Sequence, residues 1–280
     1  MKRENNRGNG RRLSRKQVLA TLGLLVTSII WGSGFVVMKR SVEDAGPLYL
    51  LAWRFTVAAA CLLVFFFPEL RRLRKSDLRP GVIIGFWLFV SYLTQTYGIK
   101  YTTASNNAFI TAFYVILVPF IHPLLNRGGG RLRGRHLAAA FTAIFGIGLL
   151  SLDSTFTIRL GDGLTFLCSI CYAVHMVLLG RCAPDHRPII LTMLQMAVCA
   201  ALSWIAAPIF EGRPPWESLT PSFAAGILYL GIFSTMVCFL LQTWGQRYLP
   251  PQAASILLSM ECVFGAAFSI FFLDDPFTVR

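Results

Sequence analysis

"SIIWGSGFVVMKRSVEDAGPLYL" (residues 28–50) lies over "SICYAVHMVLLGRCAPDHRPIIL" (residues 169–191) when the chain is compared with itself at an offset of 141. Ser28, Ile29, Val36, Arg40, Asp44, Pro47 and Leu50 meet identical residues. Past a six-residue insertion in "EGRPPWESLTP" (211–221) the offset becomes 147, and "QTYGIKY" (95–101) lies over "QTWGQRY" (242–248). Similarity at a fixed offset along apolar stretches is how a duplicated membrane unit shows itself.

Around these stretches, 55% of the 280 residues are apolar and 14% charged, and the charges gather between long apolar runs. Repeated runs near the ~20 residues that cross a bilayer mark a polytopic membrane protein. Nine spans are expected: Gln17–Met38, Leu48–Phe67, Pro80–Thr96, Ala108–Leu125, Leu137–Leu152, Leu160–Leu179, Ile189–Phe210, Phe223–Leu241 and Ala253–Leu273. The first is too long for a secretory signal core and has no small-residue cleavage site. The fold class is all-α, because helices satisfy their own backbone groups in lipid.

The net charge of +13 would suggest nucleic acid in a soluble chain, but here the basic residues sit in loops and form no aromatic-interleaved domain. With the amino terminus in the cytoplasm, the inner segments hold 19 Lys/Arg and the outer ones six, with Arg54 left inside a span. That asymmetry sets the orientation. Six of the seven cysteines, Cys61, Cys168, Cys171, Cys199, Cys238 and Cys262, fall inside apolar runs and Cys182 just beyond one, where they read as small hydrophobes and not as a disulfide framework.

The repeat pairs span 1 with span 6 and span 4 with span 9. Five spans per unit is an odd number, so the two copies cross in opposite senses. By this pattern span 5 requires a tenth helix as its mate, and the expectation is that "LDDPFTVR" (273–280) is the loop leading to it, with the helix itself missing.

The chain also resembles the drug/metabolite transporter superfamily, in its EamA branch of ten-helix carriers. "WGSGFVVMK" (31–39) is similar to the family's first-helix pattern and "WRFTVAA" (53–59) to its second. "TTASNNAFITAFYVILVP" (102–119) resembles its third loop and fourth helix, and "SMECVFGAAFSIFFLDDPFT" (259–278) its ninth-helix Glu motif. Cys262 stands where the family has Pro, and Asp274-Asp275 replaces Gly-Glu. The resemblance implies a basic cytoplasmic tail over 1–16 and EamA-like units over 17–152 and 153–280, the second incomplete. It implies a secondary carrier in the bacterial inner membrane, exporting amino acids or related small metabolites by alternating access, with a central cavity between the halves. The alternatives are a transport-inactive fragment of such a carrier and a membrane-embedded enzyme. The enzyme reading lacks converging acids or a nucleophile with its base, and an ATP-driven pump lacks a phosphate-binding loop.

Candidate pathway residues follow from polar groups in apolar surroundings. Arg54 costs ~2.5–3.5 kcal/mol to insert, so it either snorkels to the outer interface or serves as a cavity cation. Glu261, about eight residues into span 9, must be paired, protonated or in contact with water. As the repeat mate of Tyr114 it marks a difference between the halves. His175 shares a face with Cys168 and Cys171; a cavity-facing hydrogen-bonding imidazole is preferred to a metal ligand. Its mate is Gly34, which with Gly32 gives span 1 a small-residue face. Gln95 and Gln242 are mates, and Asn107 enters span 4 where Pro119 and Pro123 are expected to bend it. No catalytic residue, metal or cofactor is assigned. The expected partners are a small-molecule substrate and the lipid bilayer, with a homodimer left open and nucleic acid excluded.

Overall fold

The computed structural model describes residues 14–125 and 159–273. Residues 1–13, the fifth expected span (137–152) and Asp274-Asp275 lie outside the described residues. Within them the chain is helical throughout. Eight helical segments are long and apolar enough to cross a membrane.

α1 (Arg15–Ala45) starts on a capping box. Ser14 Oγ accepts from Gln17 N at 3.2 Å and Gln17 Oε1 from Ser14 N at 2.9 Å, so two orphan donors are satisfied at once. α2 (Pro47–Leu70) opens on Pro47 after a glycine at φ +78°, a turn that a side chain would strain. α3 (Lys75–Lys100) begins five residues before the expected start at Pro80. Pro80 is the sixth residue of the helix and removes one backbone donor there, and α3 runs through it.

The fourth expected span is two helices, α4 (Ala104–Thr111) and α5 (Tyr114–Leu125), separated at Ala112-Phe113. α5 runs on through Pro119 and Pro123, so the interruption precedes both prolines instead of arising from them. α6 (Leu160–Cys182) and α7 (Pro188–Phe210) match the expected spans 6 and 7 closely. The eighth span comprises α8 (Pro221–Leu228), a π-helical stretch over Tyr229–Val237, and α9 (Cys238–Gln246). The ninth is split into α10 (Pro251–Leu258) and α11 (Glu261–Leu273) at Ser259-Met260. The two splits are 147 residues apart, the offset of the sequence repeat.

Helices from the first part of the chain pack mainly on helices from the second. α3 lies along α6 and α7, α2 along α7, α1 along α11 and α9, and α4 along α11. At the end of the bundle rich in Lys/Arg, hereafter the basic end, Glu69 meets Arg187 and Asp77 meets His186, each at 2.6 Å. At the opposite end, Glu211 at the close of α7 accepts from Leu48 N (2.9 Å), Tyr49 N (3.2 Å) and Tyr97 Oη (2.9 Å). A carboxylate from one helix thus caps the amino terminus of another.

Candidate functional site

A narrow cleft opens between the helices of the bundle. Its lining comes from seven spans: Trp31 and Gly34 of α1, Arg54 of α2, Tyr92 and Gln95 of α3, Thr111 of α4, Tyr172 of α6, Ser234 of the π stretch and Glu261 of α11 are among the residues that form it. Aromatic rings therefore enclose a few polar groups, as in most small-molecule sites.

Arg54 is 2% exposed and lines the cleft. The π stretch holds it. Thr235 donates its hydroxyl to Leu230 O, five residues back, at 2.7 Å. The oxygen then accepts from Arg54 Nε at 3.1 Å and Nη2 at 2.9 Å, and Ser234 Oγ accepts from Nη2 at 3.3 Å. The ring of Tyr92 lies 4.8 Å from the guanidinium carbon, a favourable cation–π contact in a desolvated place. Arg54 Nη1 points to Met38 Sδ, at 3.8 Å. Among the described residues no carboxylate forms an ion pair with Arg54.

Glu261 is the first residue of α11, at the positive end of that helix. It is 3% exposed, Oε1 has no hydrogen-bond partner, and Tyr114, first residue of α5, stands beside it. The split in the ninth span, not foreseen from sequence, thus places the acid on a helix end and not in a helix interior.

The other candidates divide. Gln95 lines the cleft and donates to Thr111 Oγ1 at 3.1 Å. Gly34 also lines it; a Cβ there would stand 2.9 Å from Ser234 Oγ, so the space opposite the His175 position is taken by the serine that holds Arg54. Gly32 serves packing, since an added Cβ would come within 2.5 Å of Phe264 Cβ on α11. Asn107 is fully buried away from the cleft, donating to Gln95 O (3.2 Å) and Thr165 Oγ1 (2.8 Å). His175 does not face the cleft as expected: it is fully buried behind Tyr172, stacked at 5.3 Å between ring centres. Its Nε2 lies 2.8 Å from Gln195 Oε1, and Gln195 Nε2 donates to Leu191 O. The imidazole is therefore assigned its proton on Nε2, with the Nδ1 lone pair unpartnered. Gln242 and Tyr114 are also fully buried and stand behind the wall.

Sequence reasoning missed Ser234 and Thr235 as partners of Arg54. The signal available was a Ser-Thr pair in the middle of an apolar run, which single-helix patterning treats as tolerated polarity.

The model of the EamA-like transporter family matches the chain twice, over residues 18–152 and 159–280. A protein of Archaeoglobus fulgidus named "Uncharacterized transporter" is 32% identical over 263 residues, covering 94% of this chain and 81% of its own length. An Escherichia coli K12 protein named "Probable amino-acid metabolite efflux pump" is 24% identical, with 95% of this chain and 90% of its own length covered. A solved crystal structure superposes with a TM-score of 0.70 at 19% identity, over 93% of this chain and 90% of that one, a likeness of fold. The chain is a multi-pass membrane protein, a transporter and not an enzyme, and it belongs to the EamA-like transporter family.

Proposed function

We propose that the protein is a secondary carrier that exports amino acids or closely related zwitterions across the bacterial inner membrane by alternating access. Its amino terminus is cytoplasmic, and its two units, 17–152 and 153–280, cross the membrane in opposite senses and rock about the central cleft. The observation that carries this reading is an unpaired guanidinium, Arg54, and a carboxyl, Glu261, on the wall of one cleft with no ion pair between them. A guanidinium and a carboxyl held apart among aromatic rings are satisfied by a ligand that carries both a carboxylate and an ammonium group. Arg54 receives the substrate carboxylate through Nη1 and the free edge of the fork, while Glu261 faces the ammonium group.

The inverted arrangement is supported by the two split spans. Their interruptions fall at mates of the repeat, and both second segments begin on a mated pair, Tyr114 and Glu261. Split helices at the centre of a carrier put backbone termini where substrate and coupling ions bind. The Escherichia coli relative's name supplies the direction and the amino-acid class.

The test is counterflow in proteoliposomes preloaded with an unlabelled amino acid, offering the labelled amino acid, its decarboxylated amine or its deaminated acid outside. Only the zwitterions are expected to exchange. Failure of every amino acid to exchange would overturn the reading.

A further inference from the structure

Five fully buried or nearly buried polar atoms without hydrogen-bond partners form one group on and behind the cleft wall: Glu261 Oε1, Tyr114 Oη, Tyr172 Oη, Gln242 Oε1 and His175 Nδ1. They are contiguous. Tyr114 stands beside Glu261 and packs on Tyr172 with ring centres 4.9 Å apart. Tyr172 stacks on His175 at 5.3 Å and lies beside Gln242. One turn further along α9, Gln242 Nε2 donates to Gln246 Oε1 at 3.3 Å, and Gln246 Nε2 donates to Met176 O at 3.0 Å. Gln246 is the last residue of α9, next to Arg247 at the basic end.

Buried polar atoms in proteins are nearly always hydrogen-bonded, and a cluster of orphans is the mark of bound water. Asn107 Oδ1 is a further orphan, on the Gln95 side. On the other side of the bundle the repeat mates are closed off: Trp31, mate of Tyr172, donates to Ser234 O at 2.8 Å; Gln95, mate of Gln242, is bonded to Thr111; and Ile99 stands where Gln246 does.

We propose that these five atoms bind a file of internal water that connects the Glu261 carboxyl, on the wall of the substrate cleft, to the Gln246 end of the bundle, a proton path leading away from the cleft. A proton leaving Glu261 Oε1 passes to this water and on to bulk solvent at the basic end, and Glu261 remains as the carboxylate. The titratable groups that face Glu261 are Tyr92 of α3, Tyr114 of α5, Cys168 and Tyr172 of α6, Cys238 of α9 and its own neighbour Cys262. None of these is a base. The water is therefore the exit that the structure provides for this proton. The use of that proton to drive export rests on the carrier reading above; the path itself does not.

The experiment is infrared difference spectroscopy of the reconstituted full chain, with no substrate present. The carboxylic C=O band that disappears in Glu261→Gln is assigned to Glu261, and its hydrogen–deuterium exchange is timed after transfer to D₂O. Exchange is expected to slow at least tenfold in Gln242→Leu and in Gln246→Leu, each checked for an unchanged melting temperature, and to recover in Gln242→Asn. Unchanged exchange in both leucine variants, or the lack of any Glu261 carboxyl band, would overturn the proposal. A failure of amino-acid counterflow with slowed exchange would instead remove the substrate reading and leave the path standing.

Discussion

Arg54 was legible as an oddity, the one Arg or Lys deep in an apolar run, yet its surroundings were not. A regular helix over 223–241 gives no reason for Ser234 and Thr235 to face α2. The π stretch changes the register so that Thr235 bonds the carbonyl five residues back and turns its lone pairs to Arg54. Thr235→Val keeps the shape and removes the acceptor, so the half-saturation concentration for an amino acid should rise about tenfold, the equivalent of about 1.4 kcal/mol. Thr235→Ser should restore most of it in the same counterflow assay. His175 misled in the opposite direction. A polar residue opposite a glycine of the paired unit suggested a cleft wall, but Gln195, one helix away and in no motif, draws the imidazole behind Tyr172.

At the scale of elements, lengths and apolar character were readable and interruptions were not. Neither Ala112-Phe113 nor Ser259-Met260 contains proline or glycine, the residues through which sequence announces a break. Beside the breaks α4 and α11 meet closely, with a Cβ added at Gly265 lying 2.7 Å from Ala108 Cβ. Close approach also governs α1 against α11. Gly32→Leu should abolish the folded protein, seen as loss of the monodisperse peak in detergent, because Phe264 and the Gly265 backbone leave no space. Glu211 is a cap that no reading of one helix can find, being 163 positions from the amide that it accepts from. Glu211→Ala should destabilise by about 1–2 kcal/mol, the usual loss for a helix cap, read as a lower melting temperature in detergent.

For the whole molecule, composition and the distribution of Lys and Arg fix a polytopic helical protein, and the bundle adds how its ends are joined. The basic end is laced by Glu69–Arg187 and Asp77–His186, while the other is closed by Glu211 on α2 and by a cluster of Tyr49, Trp53, Trp204 and Trp216. Aromatic rings gather at membrane interfaces. The proposed orientation puts exposed Asp185 inside and exposed Glu217 outside, with α7 between them. In a cysteine-free background, a membrane-impermeant maleimide should label Glu217→Cys in intact cells and Asp185→Cys only after permeabilisation. The reverse pattern would invert the proposed topology.

The central claim is that Arg54 and Glu261 together select a zwitterion. The most direct measurement is the binding of an amino acid and of its decarboxylated amine to the purified wild-type protein and to Arg54→Lys, by isothermal titration. The account predicts that the wild type binds the amino acid at least tenfold more tightly than the amine. It predicts that Arg54→Lys, which keeps the charge and loses the planar fork, removes most of that preference. Equal binding of the two ligands by the wild type, or a preference untouched by Arg54→Lys, would contradict it.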